Sequence, residues 1–112
     1  MPHLIVDKRC TFVHTYPVTQ VRFEWDNGNW PKCGRHGLTQ QEIEEVFRNN
    51  PAVYPDARHS KTEQRLLAIG QTASGRYAFI VFTLRGDETG QYLRPISARF
   101  MHQKEIRHYE SL

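Results

Sequence analysis

Apolar and polar residues alternate through "VRFEW", from Val21 to Trp25. Val21, Phe23 and Trp25 point one way, Arg22 and Glu24 the other, so the pattern predicts a half-buried strand. "DNGNWP" follows, where Asn27-Gly28 supplies turn chemistry. A short helix fits "NWPKCGRHG", with Pro31 in its first turn and Gly37 as its C-terminal cap. The period then becomes helical. In "LTQQEIEEVFRNNP", Ile43, Val46 and Phe47 form one apolar stripe. Thr39 and Glu42 are spaced as a capping box, Leu38 and Ile43 as a hydrophobic staple, and Asn49, Asn50 and Pro51 stop the helix.

Strand patterns fill the second half. "AVY" near Val53 is a short candidate, and "EQRLLAIG", from Glu63 to Gly70, is a second. "QTASG" turns the chain into "RYAFIVFTLR", from Arg76 to Arg85. That segment is apolar on both faces up to Thr83, which predicts a central strand covered on both sides. "GDETG" is a hairpin loop, and "QYLRPISARF", from Gln91 to Phe100, is the next strand. Pro95 has no N–H to give to a ladder, so this strand lies at an edge or is bulged there. The choice decides where two arginines go. In a regular strand Arg94 and Arg99 face opposite sides; one extra residue in a bulge brings them to the same side. A last helix runs from about His102 to Glu110.

Residues 1–20 contain "LIV" and "TFVHTY", each readable as a short strand or as part of an extended arm. The reading is therefore an N-terminal arm over 1–20 and one domain over 21–112. Its class is α+β: a small antiparallel sheet, helices packed on it from the N-terminal side, and a C-terminal helix.

Composition narrows the function classes. A chain of 112 residues suits one compact domain. Its 38% hydrophobic and 24% charged residues are ordinary for a folded domain and exclude global disorder. A net charge of +3 permits a nucleic-acid partner without requiring one. Cys10 and Cys33 are not spaced as a CxxC pair, so no zinc or thioredoxin-like motif is indicated. They read as reduced thiols, because the apolar run in "MPHLIVDKRC" is too short for a signal-peptide core. No apolar stretch approaches the ~20 residues that span a bilayer, so no membrane partner is expected.

The histidines, His3, His14, His36, His59, His102 and His108, make no HxxxH or HExxH pattern. His36, in "GRHG", is either a cap residue favoured by the helix dipole or a general acid or base. No phosphate loop, nucleophile elbow or dinucleotide fingerprint occurs, and Ser97 and Thr83 have no triad context. The arginines are more informative. Arg65, Arg85, Arg94 and Arg99 fall on predicted strands or at their ends, where a guanidinium needs a partner or solvent. Glu63, Glu105 and Asp56 are available partners. The alternative is a shallow guanidinium cleft that grips phosphate and stabilises the charge built up in phosphodiester cleavage.

The ordered series "FEWD", "RHG", "EIEEVF", "PDARHSKTEQRLLAIGQTASGR", "FIVFTLR" and "RPISARFMHQKEIRHYE" resembles the BrnT toxins of type II toxin–antitoxin systems, over Val21 to about Tyr109. The resemblance implies a RelE-like fold and metal-independent cleavage of RNA, in which the ribose 2′-OH attacks the adjacent phosphate. No cofactor is implied, because the nucleophile belongs to the substrate. Arg65 and Glu63 match the family's "E.R" strand, and Arg85 matches the arginine closing "FTLR". Arg94, Ser97 and Arg99 match "R.ISAR", His36 matches the "HG" histidine, and Glu105 and Tyr109 match the last helix. The implied roles are phosphate binding for Arg65, Arg85 and Arg99 and proton transfer for His36 or Glu63, with Tyr109 as a competing assignment. Arg94, Ser97, Thr83, Lys32 and Tyr109 are the expected RNA contacts. The common form of the family has a longer helix after "WD", bearing lysine and asparagine; here only Lys32 replaces that lysine. The implied partner is a cognate antitoxin, a ribbon-helix-helix DNA-binding protein like BrnA, and the implied location is cytoplasmic. A non-catalytic module of the same fold, binding RNA or antitoxin, is the alternative.

Overall fold

The computed structural model describes residues 3–6, 13–16, 22–56, 64–87 and 90–112, with 3–6, 13–16 and 87 described by their backbone. Two short strands open it, β1 (His3–Val6) and β2 (Val13–Tyr16), paired antiparallel with His3 opposite Tyr16. Both short-strand readings of the N-terminal segment are thus realised. The remaining elements are β3 (Arg22–Phe23), a 3-10 turn (Lys32–Gly34), α1 (Gln40–Arg48), β4 (Ala52–Pro55), β5 (Arg65–Gln71), β6 (Tyr77–Asp87), β7 (Gly90–Phe100) and α2 (Gln103–Glu110).

The last five strands form one sheet in the order β3-β7-β6-β5-β4. The expected α+β class holds, with β6 at the centre. Neighbours from β4 to β7 are antiparallel, while β3 joins β7 in parallel, so the sheet is mixed. Parallel neighbours need a long crossover, and most of the chain lies between β3 and β7. The strand expected over Val21–Trp25 is regular only over Arg22–Phe23. The Glu24 N–H still reaches the Leu93 carbonyl at 2.9 Å. Beyond it, Asp26 accepts from the Gly28 N–H at 2.7 Å and turns the chain away.

α1 covers one face. Its capping box is complete: Thr39 Oγ1 accepts from the Glu42 N–H, and Glu42 accepts from the Thr39 N–H, both at 3.0 Å. Ile43, Val46 and Phe47 are buried against Leu66 and Ala68 of β5, Ala78, Ile80 and Phe82 of β6, and Ala98 of β7. The Phe47 ring meets Phe82 edge-on at 4.9 Å. The helix approaches so closely at Gly70 that a Cβ there would lie 3.0 Å from Pro51 and 3.2 Å from Val46. The helix expected in "NWPKCGRHG" is only the 3-10 turn. Gly34 sits against the Trp30 ring and Gly37 has φ +103°, so two glycines and a proline leave too few helix-forming residues to nucleate one.

The β6–β7 register contains the bulge. Val81 faces Ser97 and Phe82 faces Pro95, which leaves Ile96 as the extra residue. Arg94 therefore pairs with Thr83, and Arg99 with Phe79, both odd positions of β6. The two arginines share the face opposite α1.

Candidate nucleic-acid interface

Cross-strand pairing arranges that face in rows. Arg65 of β5, Thr83 of β6 and Arg94 of β7 form one row. The next row outward is Arg85 of β6, Tyr92 of β7 and Arg22 of β3. Four strands thus each contribute one arginine to the same end of one face. Leu67, Val81 and Ser97 form the row inward, and Ile69, Phe79 and Arg99 the one after it. Arg99 lies four β6 residues beyond the Arg94 row, ~13 Å at strand rise.

The loop after β3 binds this surface from the side. Arg94 Nη1 donates to Asp26 Oδ2 at 2.8 Å and to Glu24 Oε1 at 3.0 Å, while its Nη2 donates to Asp26 Oδ1 at 3.0 Å. This fork holds the Asp26 carboxyl below the usual carboxylate range, assisted by the Gly28 N–H. Gly28 leaves room for the same contact, since a Cβ there would lie 2.8 Å from Arg94 Nη2 and push the guanidinium aside. Asn29 is 2% exposed and joins the loop to the bulge. Its amide donates to the Glu24 and Pro95 carbonyls, both at 2.9 Å, and its Oδ1 accepts from the Asp26 N–H at 2.8 Å. Arg85 reaches Glu24 at 3.5 Å with about half of its side chain exposed. Arg22 donates to the Tyr92 hydroxyl at 3.0 Å and stacks over that ring at 4.4 Å.

Thr83 is 1% exposed, and its hydroxyl donates to the Gln64 carbonyl at 2.7 Å. It fixes the start of β5, and with it Arg65, from beneath. Ser97 is exposed between the Arg94 and Arg99 rows. Arg99 forms a fork with Glu105, two bonds of 2.8 Å, and its guanidinium lies 4.9 Å from the Phe79 ring centre. Glu105 also accepts from the His102 N–H at 2.9 Å and so caps α2. The Arg99 guanidinium, then this N–H, lower the Glu105 carboxyl from its ordinary 4.5 to about 2. Tyr109, on α2, packs edge-on against Tyr77.

The structure thus brings Arg65, Thr83, Arg85 and Arg94 together, with Ser97 adjoining and Arg99 and Tyr109 farther along. Lys32 and His36 are exposed and flank Cys33, a buried free thiol of the core on the α1 side. Glu63, His59 and Cys10 lie outside the described residues. Glu24, Asp26, Asn29, Arg22 and Tyr92 were not singled out from the sequence. The alternation of "VRFEW" put Arg22 and Glu24 on one face, but nothing local tied that face to β7. Among the described residues, no three His, Cys, Asp or Glu side chains are grouped as metal ligands, and no helix is long and apolar enough to cross a membrane.

A mixed sheet covered by α1 on one face, with guanidinium groups from four strands on the other, defines a small α+β domain with an arginine-bearing sheet face. The model of the BrnT family, the ribonuclease toxin of type II toxin–antitoxin systems, matches residues 25–105, and the chain belongs to that family. A search of curated proteins returned no match. Membership makes the chain a toxin directed at RNA and paired with an antitoxin. Arg65, Arg85, Arg94 and Arg99 lie within the matched span; Arg22 and Tyr109 lie outside it.

Proposed function

We propose that the arginine end of the open sheet face binds the scissile phosphate of RNA and cleaves it without a metal, by attack of the ribose 2′-OH. The observation that carries this reading is the convergence of Arg22, Arg65, Arg85 and Arg94 from four strands. Guanidinium groups fixed by strand pairing are preorganised for the charge that grows on the phosphate, and need no rearrangement to stabilise it. Arg65 and Arg85 take the phosphate role. Arg94, already gripped by Asp26 and Glu24, orders the surface between them. Glu63 takes the proton of the 2′-OH, since His36 lies beside Cys33 on the α1 side. The pH–rate profile of Glu63→Gln tests this, and loss of the base's limb of the profile in His36→Ala instead would overturn it.

The test is cleavage of several RNAs by the purified protein in EDTA, with Arg85→Ala alongside. Cleavage persisting in EDTA and falling ~10²–10³-fold in the variant is the expected result. Equal rates for both proteins would remove Arg85 from the chemistry. Binding without cleavage would make the face a non-catalytic RNA-binding module.

The antitoxin is inferred to be a ribbon-helix-helix DNA-binding protein like BrnA, and the site of action the cytoplasm. Both follow from the family resemblance and the RNA target. Co-expression with the product of the adjoining reading frame, followed by rescue of growth and co-purification, tests the partner.

A further inference from the structure

Beyond the arginine rows, the same face runs into a cavity of about 830 Å³ between the sheet and α2. Tyr54, Leu67 and Phe79 are among its sheet residues, while His102, His108 and Tyr109 come from α2 and its N-terminal cap. The volume falls within the range of small-ligand sites, ~300–1,000 Å³. α2 buries none of its residues fully, so the apolar row beneath it is roofed without being sealed. Arg99 adjoins the cavity, held between two of its lining residues, Glu105 and Phe79.

The lining has a specific chemistry. Tyr54, Phe79 and Tyr109 present aromatic rings from three separate elements, and the two histidines add ring nitrogens that donate or accept. Aromatic walls with a few polar groups and a neighbouring guanidinium are how proteins hold the unstacked bases of single-stranded RNA. A peptide is a poorer fit. Three of its five strand residues, Leu67, Ile69 and Phe79, belong to β5 and β6, interior strands whose backbone groups are already paired on both sides, while Tyr54 and Pro55 belong to the edge strand β4. The interior strands offer side-chain faces and no free ladder for an added strand, and β4 presents only Tyr54 and Pro55 to the cavity. Continuity with the arginine rows favours RNA as well. The exposed Ser97 lies between the Arg94 and Arg99 rows, so a strand of RNA held at Arg65 and Arg85 can follow this face towards the cavity.

We infer that this cavity receives one unstacked nucleobase of the RNA whose scissile phosphate lies on the arginine rows. The inference rests on the ribonuclease reading for the origin of that base. It makes the face bipartite, with charge for the backbone at one end and an aromatic slot for a base at the other.

Two measurements on the full chain test it. The first is NMR titration with adenosine and uridine 5′-monophosphates, following the ring signals of His102, His108 and Tyr109. The second is binding of a short 2′-O-methylated oligonucleotide, which cannot be cut, with a single abasic position moved along it. The expected result is cavity signals that shift with mononucleotide, and one abasic position that weakens binding about tenfold or more. That penalty should vanish in Tyr109→Leu and in His108→Ala, with salt dependence retained. Tight oligonucleotide binding with the same affinity at every abasic position overturns the slot and leaves the arginine reading standing. Cavity signals that answer to mononucleotide while Arg85→Ala binds like the parent support the slot and overturn the phosphate assignment. Signals that move only with protein concentration or with added antitoxin overturn the slot in favour of a protein contact.

Discussion

Asn29 carries more of the site's geometry than its position in a turn suggests. One buried amide closes the loop at Asp26 and fastens it to Pro95 beside the bulge. Asn29→Ala removes partners from two carbonyls and one N–H, a loss of about 1–3 kcal/mol. Urea denaturation should show a lowered midpoint at unchanged slope. RNA affinity should fall with it, because Asp26 and Glu24 no longer hold Arg94 in place. The cluster combines residues remote in sequence: Asp26 and Arg94 are 68 positions apart. No local pattern connects them, which is why Arg94 was legible as a strand arginine and its partners were not. Glu105 was the exception. Its helix begins directly after the Arg99 strand, so pairing was foreseeable from proximity in the chain.

Among the elements, those governed by local chemistry were readable. α1 announced its start through the Thr39–Glu42 box, and Pro95 announced an interruption of β7 because it lacks an N–H. The sequence could not say whether that interruption was an edge or a bulge, since the choice depends on what β6 and β3 pair with. The parallel docking of β3 was equally hidden, as two residues have no preference for a partner. α2 yields a prediction at this scale. Glu105 has its folded pKa, about 2, below its ordinary 4.5. The pair's contribution is therefore complete above about pH 4.5 and is lost as pH falls towards 2. Both side chains are over a third exposed, so solvent screening reduces the effect. Acid titration of α2, followed by the NMR signals of Tyr109, should show loosening across this window, and Glu105→Gln should abolish that pH dependence.

Across the molecule, packing and binding are divided between the two sides of one sheet. The α1 side holds the fully buried Ile43, Val46, Ala78, Ile80 and Phe82. Phe82→Ala should cost about 3–5 kcal/mol, much of the ~5–15 kcal/mol that such a domain commands, and calorimetry should show a large drop in Tm. The arginine side is free to carry charge because stability is supplied elsewhere. β3 touches only β7 within the sheet, and Arg94 is itself a β7 residue. A chain being synthesised from its N-terminus can pair β5 with β6 and so align Arg65 with Arg85, but Arg22 has no strand to join, and Arg94 does not exist, until β7 is made. The four-arginine surface is therefore complete only once the last strand has left the ribosome. An antitoxin already present has that whole interval in which to be waiting.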